Sequence, residues 1–214
     1  MKIGVLGSGN VGKVLAAGFL KKGHDVMLGT RDVAKMQDWQ SKHEGVALGD
    51  FASTAAFAEV IVLAVKGHAA LEVLNSAGAS HLKGKLILDA TNPIDESKAP
   101  QNGVLPFFTA QGESLMQRLQ TAQPEAKFVK AFSCVGSAYM VDPSFKDGKP
   151  TMFICGNDAE AKTKATQILE AFGWETMDMG LADSAGAIEN LCILWCLPGF
   201  LQNQWTHAFR MLKA

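Results

Sequence analysis

The chain has 214 residues, of which 48% are hydrophobic and 19% charged, and its formal net charge is -1. That length can bury a substantial core, as one large domain or as a domain with an extension. With no basic excess, neither nucleic acid nor an anionic membrane surface is an expected partner.

Residues 2–6, Lys-Ile-Gly-Val-Leu, read as a short buried strand. Gly7, Ser8, Gly9, Asn10, Val11 and Gly12 follow at once, and a helical pattern starts after them. This is G-x-G-x-x-G at a strand-to-helix junction, the context that a dinucleotide fingerprint requires. Gly7 permits the tight turn, Gly9 lets backbone approach a pyrophosphate, and Gly12 lets the helix sit close to the sheet. The phosphates would face the free N–H groups at the helix start.

The first helix should end near Lys21, with Gly23 as its C-cap. Residues 24–29 read as the second strand. In an NAD site, an acidic side chain at its end would bind the ribose hydroxyls. Here the end carries Thr30, Arg31 and, after Asp32, Lys35. A hydroxyl, a guanidinium fork and an ammonium suit a ribose 2′-phosphate, so NADP is the expected cofactor. Asp32 is the competing signal; it can instead cap the helix after it.

A short strand is expected at 45–49 and a small helix at 51–58. Residues 60–65 form a continuous branched run, as in a parallel strand covered on both faces. Ala64, Val65 and Lys66 stand at its carboxyl end, where crevice residues lie. Residues 85–90 give another strand, ending in Thr91, Asn92 and Pro93. Asn92 is a candidate for the ribose or for the region near nicotinamide, and an Asx-type turn is the plain alternative. Residues 95–112 show little periodicity and read as a long loop, a lid or a binding element. A strand at 127–132 ends in Ser133, Cys134 and Val135, a small-residue loop where backbone could approach a flat ring.

A strand at 151–156, a helix at 159–172 and a short strand at 173–180 follow. The repetition predicts an α/β class: a Rossmann-type doubly wound, mostly parallel sheet with a short helical C-terminal extension. The expected organisation is an NADP-binding Rossmann-like domain over 1–180 and a helical extension over 181–214. From residue 181 the pattern is apolar and helical through Trp195, Trp205 and Phe209. This tail is expected to serve as a dimerisation arm, giving a homodimer, with packing within the chain as the alternative. Its apolar core, residues 191–201, holds a Pro-Gly pair and falls short of the ~20 residues needed to span a membrane. The N-terminus does not read as a signal peptide, so the expected location is cytoplasmic. Cys134, Cys155, Cys192 and Cys196 form no C-x-x-C pair and have no histidine at zinc spacing, so no metal site is expected. No catalytic triad or acid-base pair stands out.

Together, the Gly7–Gly12 fingerprint, Thr30-Arg31-Asp32, Ala64-Val65-Lys66, Asp89-Ala90-Thr91-Asn92-Pro93 and Lys130-Ala131-Phe132-Ser133-Cys134-Val135-Gly136 carry a family resemblance. In these segments the chain resembles the NADP-dependent oxidoreductases that include the coenzyme F420-dependent NADP reductases, and also the cytoplasmic reductase domain of the STEAP metalloreductases. The resemblance implies NADP across the crevice, with the 2′-phosphate at Thr30, Arg31 and Lys35 and the pyrophosphate at Gly9, Asn10 and Val11. It puts Asn92 and the Ser133–Gly136 loop toward nicotinamide, with a flavin or F420 as co-substrate. The histidine and proline that F420 reductases tend to carry near positions 133–136 are absent, as is a membrane haem segment. The implied chemistry is hydride transfer to a small-molecule electron acceptor: a flavin, a deazaflavin or a similar two-electron acceptor. The alternatives are reduction of a small carbonyl or imine, or a non-catalytic NADP-binding sensor.

Overall fold

The computed structural model describes residues 1–212. Six strands form one parallel sheet: β1 (Lys2–Leu6), β2 (Asp25–Gly29), β3 (Val46–Gly49), β4 (Val60–Leu63), β5 (Leu86–Asp89) and β6 (Lys127–Lys130), in the order β3-β2-β1-β4-β5-β6. That order is the dinucleotide-binding arrangement, and its winding reverses between β1 and β4. Parallel strands need crossovers, and helices supply most of them: α1 (Asn10–Lys21), the one-turn α2 (Gln37–Gln40), α3 (Phe51–Phe57), α4 (Ala70–Ala77), α5 (Ala79–Leu82) and α6 (Leu115–Ala122).

The pleat sends alternate side chains to opposite faces. Ile3, Val5, Val60, Val62, Leu86 and Leu88 join one buried cluster with Leu15 and Phe19 of α1. Leu6, Ile61, Leu63, Ile87 and Phe128 join the other, with Ala55 of α3, Leu74 of α4 and Leu119 of α6. Both faces are covered, which is why these strands read as unbroken apolar runs rather than as an alternation. Complete burial of each large aliphatic side chain contributes about 1.5–3 kcal/mol.

Beyond β6 the chain departs from a single continuous sheet. β7 (Thr151–Ile154) and β8 (Glu175–Asp178) pair only with each other, in parallel, around α7 (Ala159–Ala171). One antiparallel bridge, Lys130 to Cys155, joins this pair to β6. The α7 residues Ile168 and Leu169, with Phe172, complete the α1 face, and the Phe19 and Phe172 rings lie 4.7 Å apart.

The last helix, α8 (Ala185–Gln202), buries Ala185, Ile188, Glu189, Cys192, Trp195 and Gly199 on one side. Two expectations for this tail are corrected. With the short turn before it, the helical segment runs from Ala182 to Gln202, 21 residues; by length and composition alone, with an 18-residue stretch of mean hydropathy 1.4, it is apolar enough to cross a membrane, a test that the core helix of a soluble protein also passes. The Pro-Gly pair therefore does not cut the apolar segment short. Nor does the helix continue through Trp205 and Phe209. Asn203, at φ 53°, closes it in the left-handed conformation. The Trp205 ring then covers Gly199, where a β-carbon would collide with it. The chain folds back: the Trp195 indole N–H donates to the His207 carbonyl at 2.9 Å, and the Thr151 N–H donates to the Phe209 carbonyl at 2.9 Å.

The expected irregular loop after β5 is a hairpin-like excursion. Asp95 N–H donates to the Pro106 carbonyl, Phe108 N–H to the Pro93 carbonyl, and Gln101 and Val104 exchange both bonds. Its tip is Asn102-Gly103 with φ of 50° and 81°. Positive φ at both central residues is the twist-matched hairpin turn that Asn-Gly favours.

Candidate functional site

A crevice of about 970 Å³ opens at the carboxyl ends of β1, β2 and β4. It lies where the strand order reverses, the place where open α/β sheets bind ligands. Gly7, Ser8, Gly9, Asn10, Val11, Thr30, Arg31, Lys35, Ala64, Val65 and Lys66 all line it. Eleven of the predicted site residues are thus brought together by the topology. Backbone ladders hold their loops beyond the strand ends, with Gly7 N–H donating to the Gly29 carbonyl at 3.0 Å and Ala64 N–H to the Leu6 carbonyl at 2.9 Å.

Two of the three glycines sit where backbone leaves no room for a β-carbon, and the third sits in the open. Gly7 sits at φ 125°, and a β-carbon there would strike the Ala64 carbonyl. A β-carbon on Gly12 would strike the Gly7 carbonyl, so Gly12 lies under the loop rather than in the crevice. At Gly9 a β-carbon would meet nothing within 4 Å. Gly9 is also the N-cap of α1 and brings no side-chain cap to it. The result is a helix N-terminus with its N–H groups facing open space, a geometry that suits a phosphate.

At the end of β2 the charges are already partly engaged. The Thr30 hydroxyl is buried and lies 3.0 Å from the Ser8 hydroxyl, and it accepts from the Asp32 N–H at 3.3 Å. It ties the two loops together. Asp32 accepts from the Lys35 N–H at 3.3 Å and pairs with the Lys35 ammonium at 3.0 Å. These contacts with Lys35 hold the Asp32 carboxyl below its ordinary value. Asp32 therefore caps the turn after β2, as its alternative reading supposed. Arg31 is exposed and has no ion pair among the described residues. It is the free cation of this cluster.

The remaining predicted residues lie beyond the crevice lining, at the ends of β5 and β6. Asn92 donates from Nδ2 to the Ser133 carbonyl at 2.8 Å and so joins the two loops. Its Oδ1 and the Ser133 hydroxyl are buried without a hydrogen-bond partner among the described residues. Buried polar atoms are rarely left so. Pro93, Cys134 and Val135 are buried. Burial pushes the Cys134 thiol up to about 12, so it is an inert thiol. The flat ring that approaches the small-residue loop is Trp195, which lies where a β-carbon on Gly136 would be.

Beneath these loops sits a feature the sequence reading missed. Lys130 is wholly buried and pairs with Asp89 at 2.9 Å and Glu189 at 2.9 Å. Its ammonium also donates to the Thr91 carbonyl at 2.7 Å. Burial would pull this lysine down, but the two carboxylates outweigh it and hold the ammonium above its ordinary value. A polar residue in an otherwise apolar strand or helix, such as Lys130 or Glu189, was the available signal. At the crevice mouth Lys66 pairs with Glu96 at 2.8 Å, with His68 3.7 Å from the same carboxylate. Among the described residues, no group of three His, Cys, Asp or Glu side chains is arranged to hold a metal ion.

Comparison with known proteins agrees with this geometry. Residues 2–93 match a family model described as NADP oxidoreductase coenzyme F420-dependent. A candidate F420-dependent NADP-reductase from Arthrobacter sp. FB24, known from its crystal structure, is 33% identical, with a TM-score of 0.94 and 100% of both chains covered. Metalloreductase STEAP3 of Rattus norvegicus is 28% identical over 206 residues, 94% of this chain and 39% of that protein. An F420-dependent NADP reductase of Methanothermobacter thermautotrophicus is 36% identical over 104 residues, 44% of each chain. The matched parts are about two-fifths of the length of these last two relatives.

The glycine geometry predicts a contrast. Gly12→Ala forces a β-carbon into backbone and should lower stability by about 1–3 kcal/mol, several degrees in melting midpoint. Gly9→Ala should leave the melting of the free protein unchanged to within about 1 °C, because its β-carbon enters open space. Thermal unfolding of the two variants beside the parent checks this.

Proposed function

The chain belongs to the coenzyme F420-dependent NADP oxidoreductase family, and we propose that it transfers a hydride between NADP(H) and a flavin, deazaflavin or similar two-electron acceptor. The observation that carries the reading is one crevice that joins the uncapped start of α1, open over Gly9, to the unpaired Arg31. The first suits a pyrophosphate and the second a ribose 2′-phosphate. Lys35 adds a second cation, shared with Asp32.

NADPH, when bound, supplies the hydride, so the protein needs no nucleophile of its own. Its residues bind, orient and exclude water. Gly9, Asn10 and Val11 offer backbone to the phosphates, and Ala64, Val65 and Lys66 wall the crevice opposite. The unpartnered Asn92 Oδ1 and Ser133 hydroxyl suit the polar edge of a nicotinamide, an amide able to donate and accept. Four free cysteines suit a reducing compartment, and the reading keeps the protein cytoplasmic. The exposed Leu194, Phe200 and Leu201 of α8 support the homodimer that belongs to the same reading.

Arg31→Ala should weaken NADPH binding by about 2 kcal/mol, roughly 30-fold, and NADH binding hardly at all. Isothermal titration with both cofactors checks this, and an equal loss for both removes the 2′-phosphate assignment. Anaerobic mixing of the NADPH complex with FMN, FAD and F420 should oxidise NADPH with one of these rings. Binding with no oxidation by any of them would turn the reading toward small carbonyls or imines. Sedimentation equilibrium should give twice the chain mass, and Leu201→Glu should shift it toward the single chain.

A further inference from the structure

The NADP(H) reading makes no use of the most costly side chain in the molecule. Lys130 is 0% exposed, and its partners Asp89 and Glu189 are 0% and 1% exposed. Apolar side chains of similar volume would fill such a site at least as stably. What the charges add is direction. The three ammonium protons are all spent, on Asp89, Glu189 and the Thr91 carbonyl.

Each partner carries the constraint further. The other Asp89 oxygen accepts from the Thr91 N–H at 2.9 Å and the Thr91 hydroxyl at 2.6 Å, so the turn after β5 is held from both sides. The next residue is Asn92, whose amide holds the Ser133 carbonyl. The Asn92 carbonyl lies against Gly67, where a β-carbon would collide with it. Between Lys130 and Ser133 the backbone is bent by Phe132, a buried bulky residue at φ 61°. Such a conformation persists only where its surroundings over-determine it. Glu189 reaches in from α8 and accepts from the Leu115 and Met116 N–H groups, both at 3.0 Å, at the start of α6. One ammonium thus joins the loops after β4, β5 and β6 to a helix that lies outside the crevice.

We propose that Lys130 is a positioning residue for the loop end that carries Asn92 and Ser133, beyond the crevice lining, and that Glu189 makes its setting depend on the seating of α8. The inference rests on the NADP(H) reading for what that end holds. It is built on the bond network, which exists without ligand.

Glu189→Gln is the gentlest probe, because it leaves Lys130 and Asp89 as a balanced pair. In the ligand-free variant, hydrogen–deuterium exchange should quicken about tenfold or more over residues 89–96 and 130–136 and stay unchanged over residues 2–12. Affinity for 2′,5′-ADP, which carries the 2′-phosphate but no nicotinamide, should hold within about twofold, while kcat falls about tenfold or more and KM for NADPH moves little. The fluorescence of bound NADPH should change with it. Unchanged exchange over 89–96 and 130–136, or a loss spread equally over residues 2–12 and 2′,5′-ADP binding, overturns the inference. Failure of the parent protein to bind NADPH overturns the reading and the inference together; a parent that binds beside an unaltered variant overturns the inference alone. Should Glu189→Gln not fold, Thr91→Val, which cuts only the hydroxyl bond to Asp89, carries the same readouts.

Discussion

A buried ammonium must find carboxylates, and that demand organises the second half of the structure. Desolvating Lys130 is tolerable only because Asp89 and Glu189 meet it at hydrogen-bond distance and Thr91 takes its third proton. The second carboxylate needs neutralising in turn, and the start of α6 supplies it with two N–H donors and the positive end of a helix. Removing Lys130 would strand two carboxylates in the core, at a cost of roughly 3–5 kcal/mol where a buried pair is broken. The cluster thus fixes β5, β6, α6 and α8 relative to one another more tightly than apolar packing could, since apolar contact has no direction.

The crevice at β1 and the loops after β5 and β6 are built by different physics. At β1 the work is steric. Gly7 and Gly12 let a loop, a strand and a helix approach until no β-carbon fits, and the exposed backbone at Gly9 is what remains for an anion. At β5 and β6 the work is electrostatic. A charge clamp and a left-handed Phe132 hold the Asn92 and Ser133 turns together, with two buried polar atoms left without a partner among the described residues. The first arrangement suits phosphates, which every dinucleotide carries. The second takes its supports from distant parts of the chain.

The C-terminal segment links these loops to the rest of the surface. α8 places Glu189 under the site and Trp195 on Gly136 from the same buried side. Its Leu197 and Leu201 lie against Gly103 at the tip of the hairpin after β5. The folded-back tail, through His207 and Phe209, locks the helix to β7. A helix this apolar is retained on the sheet by one buried carboxylate and by aromatic contacts, while Leu194, Phe200 and Leu201 remain outside.

Most of the sheet was legible in the residues themselves. Strand, G-x-G-x-x-G and helix are local events, and local sterics and backbone bonding decide them. The same holds for Asp32 as a cap and for the unbroken runs of β4 and β5. The hairpin at 93–108 was read only as a long loop, because prolines and a lack of alternation masked the Asn102-Gly103 turn. Pairing partners were not legible. A strand pattern at 151–154 does not say that it joins β8 rather than extending β6, because edge choice depends on what covers each face. A helical pattern through Phe209 does not reveal that Trp205 will turn back onto Gly199. Above all, Asp89, Lys130 and Glu189 are scattered in sequence and each looks like an ordinary charge. The sequence by itself determined the succession of strands and helices, the fingerprint and the cation at Arg31, because those depend on neighbours in the chain. Only the tertiary structure decided the buried triad and the loops it holds, because desolvation makes three distant charges depend on one another only once they share a core.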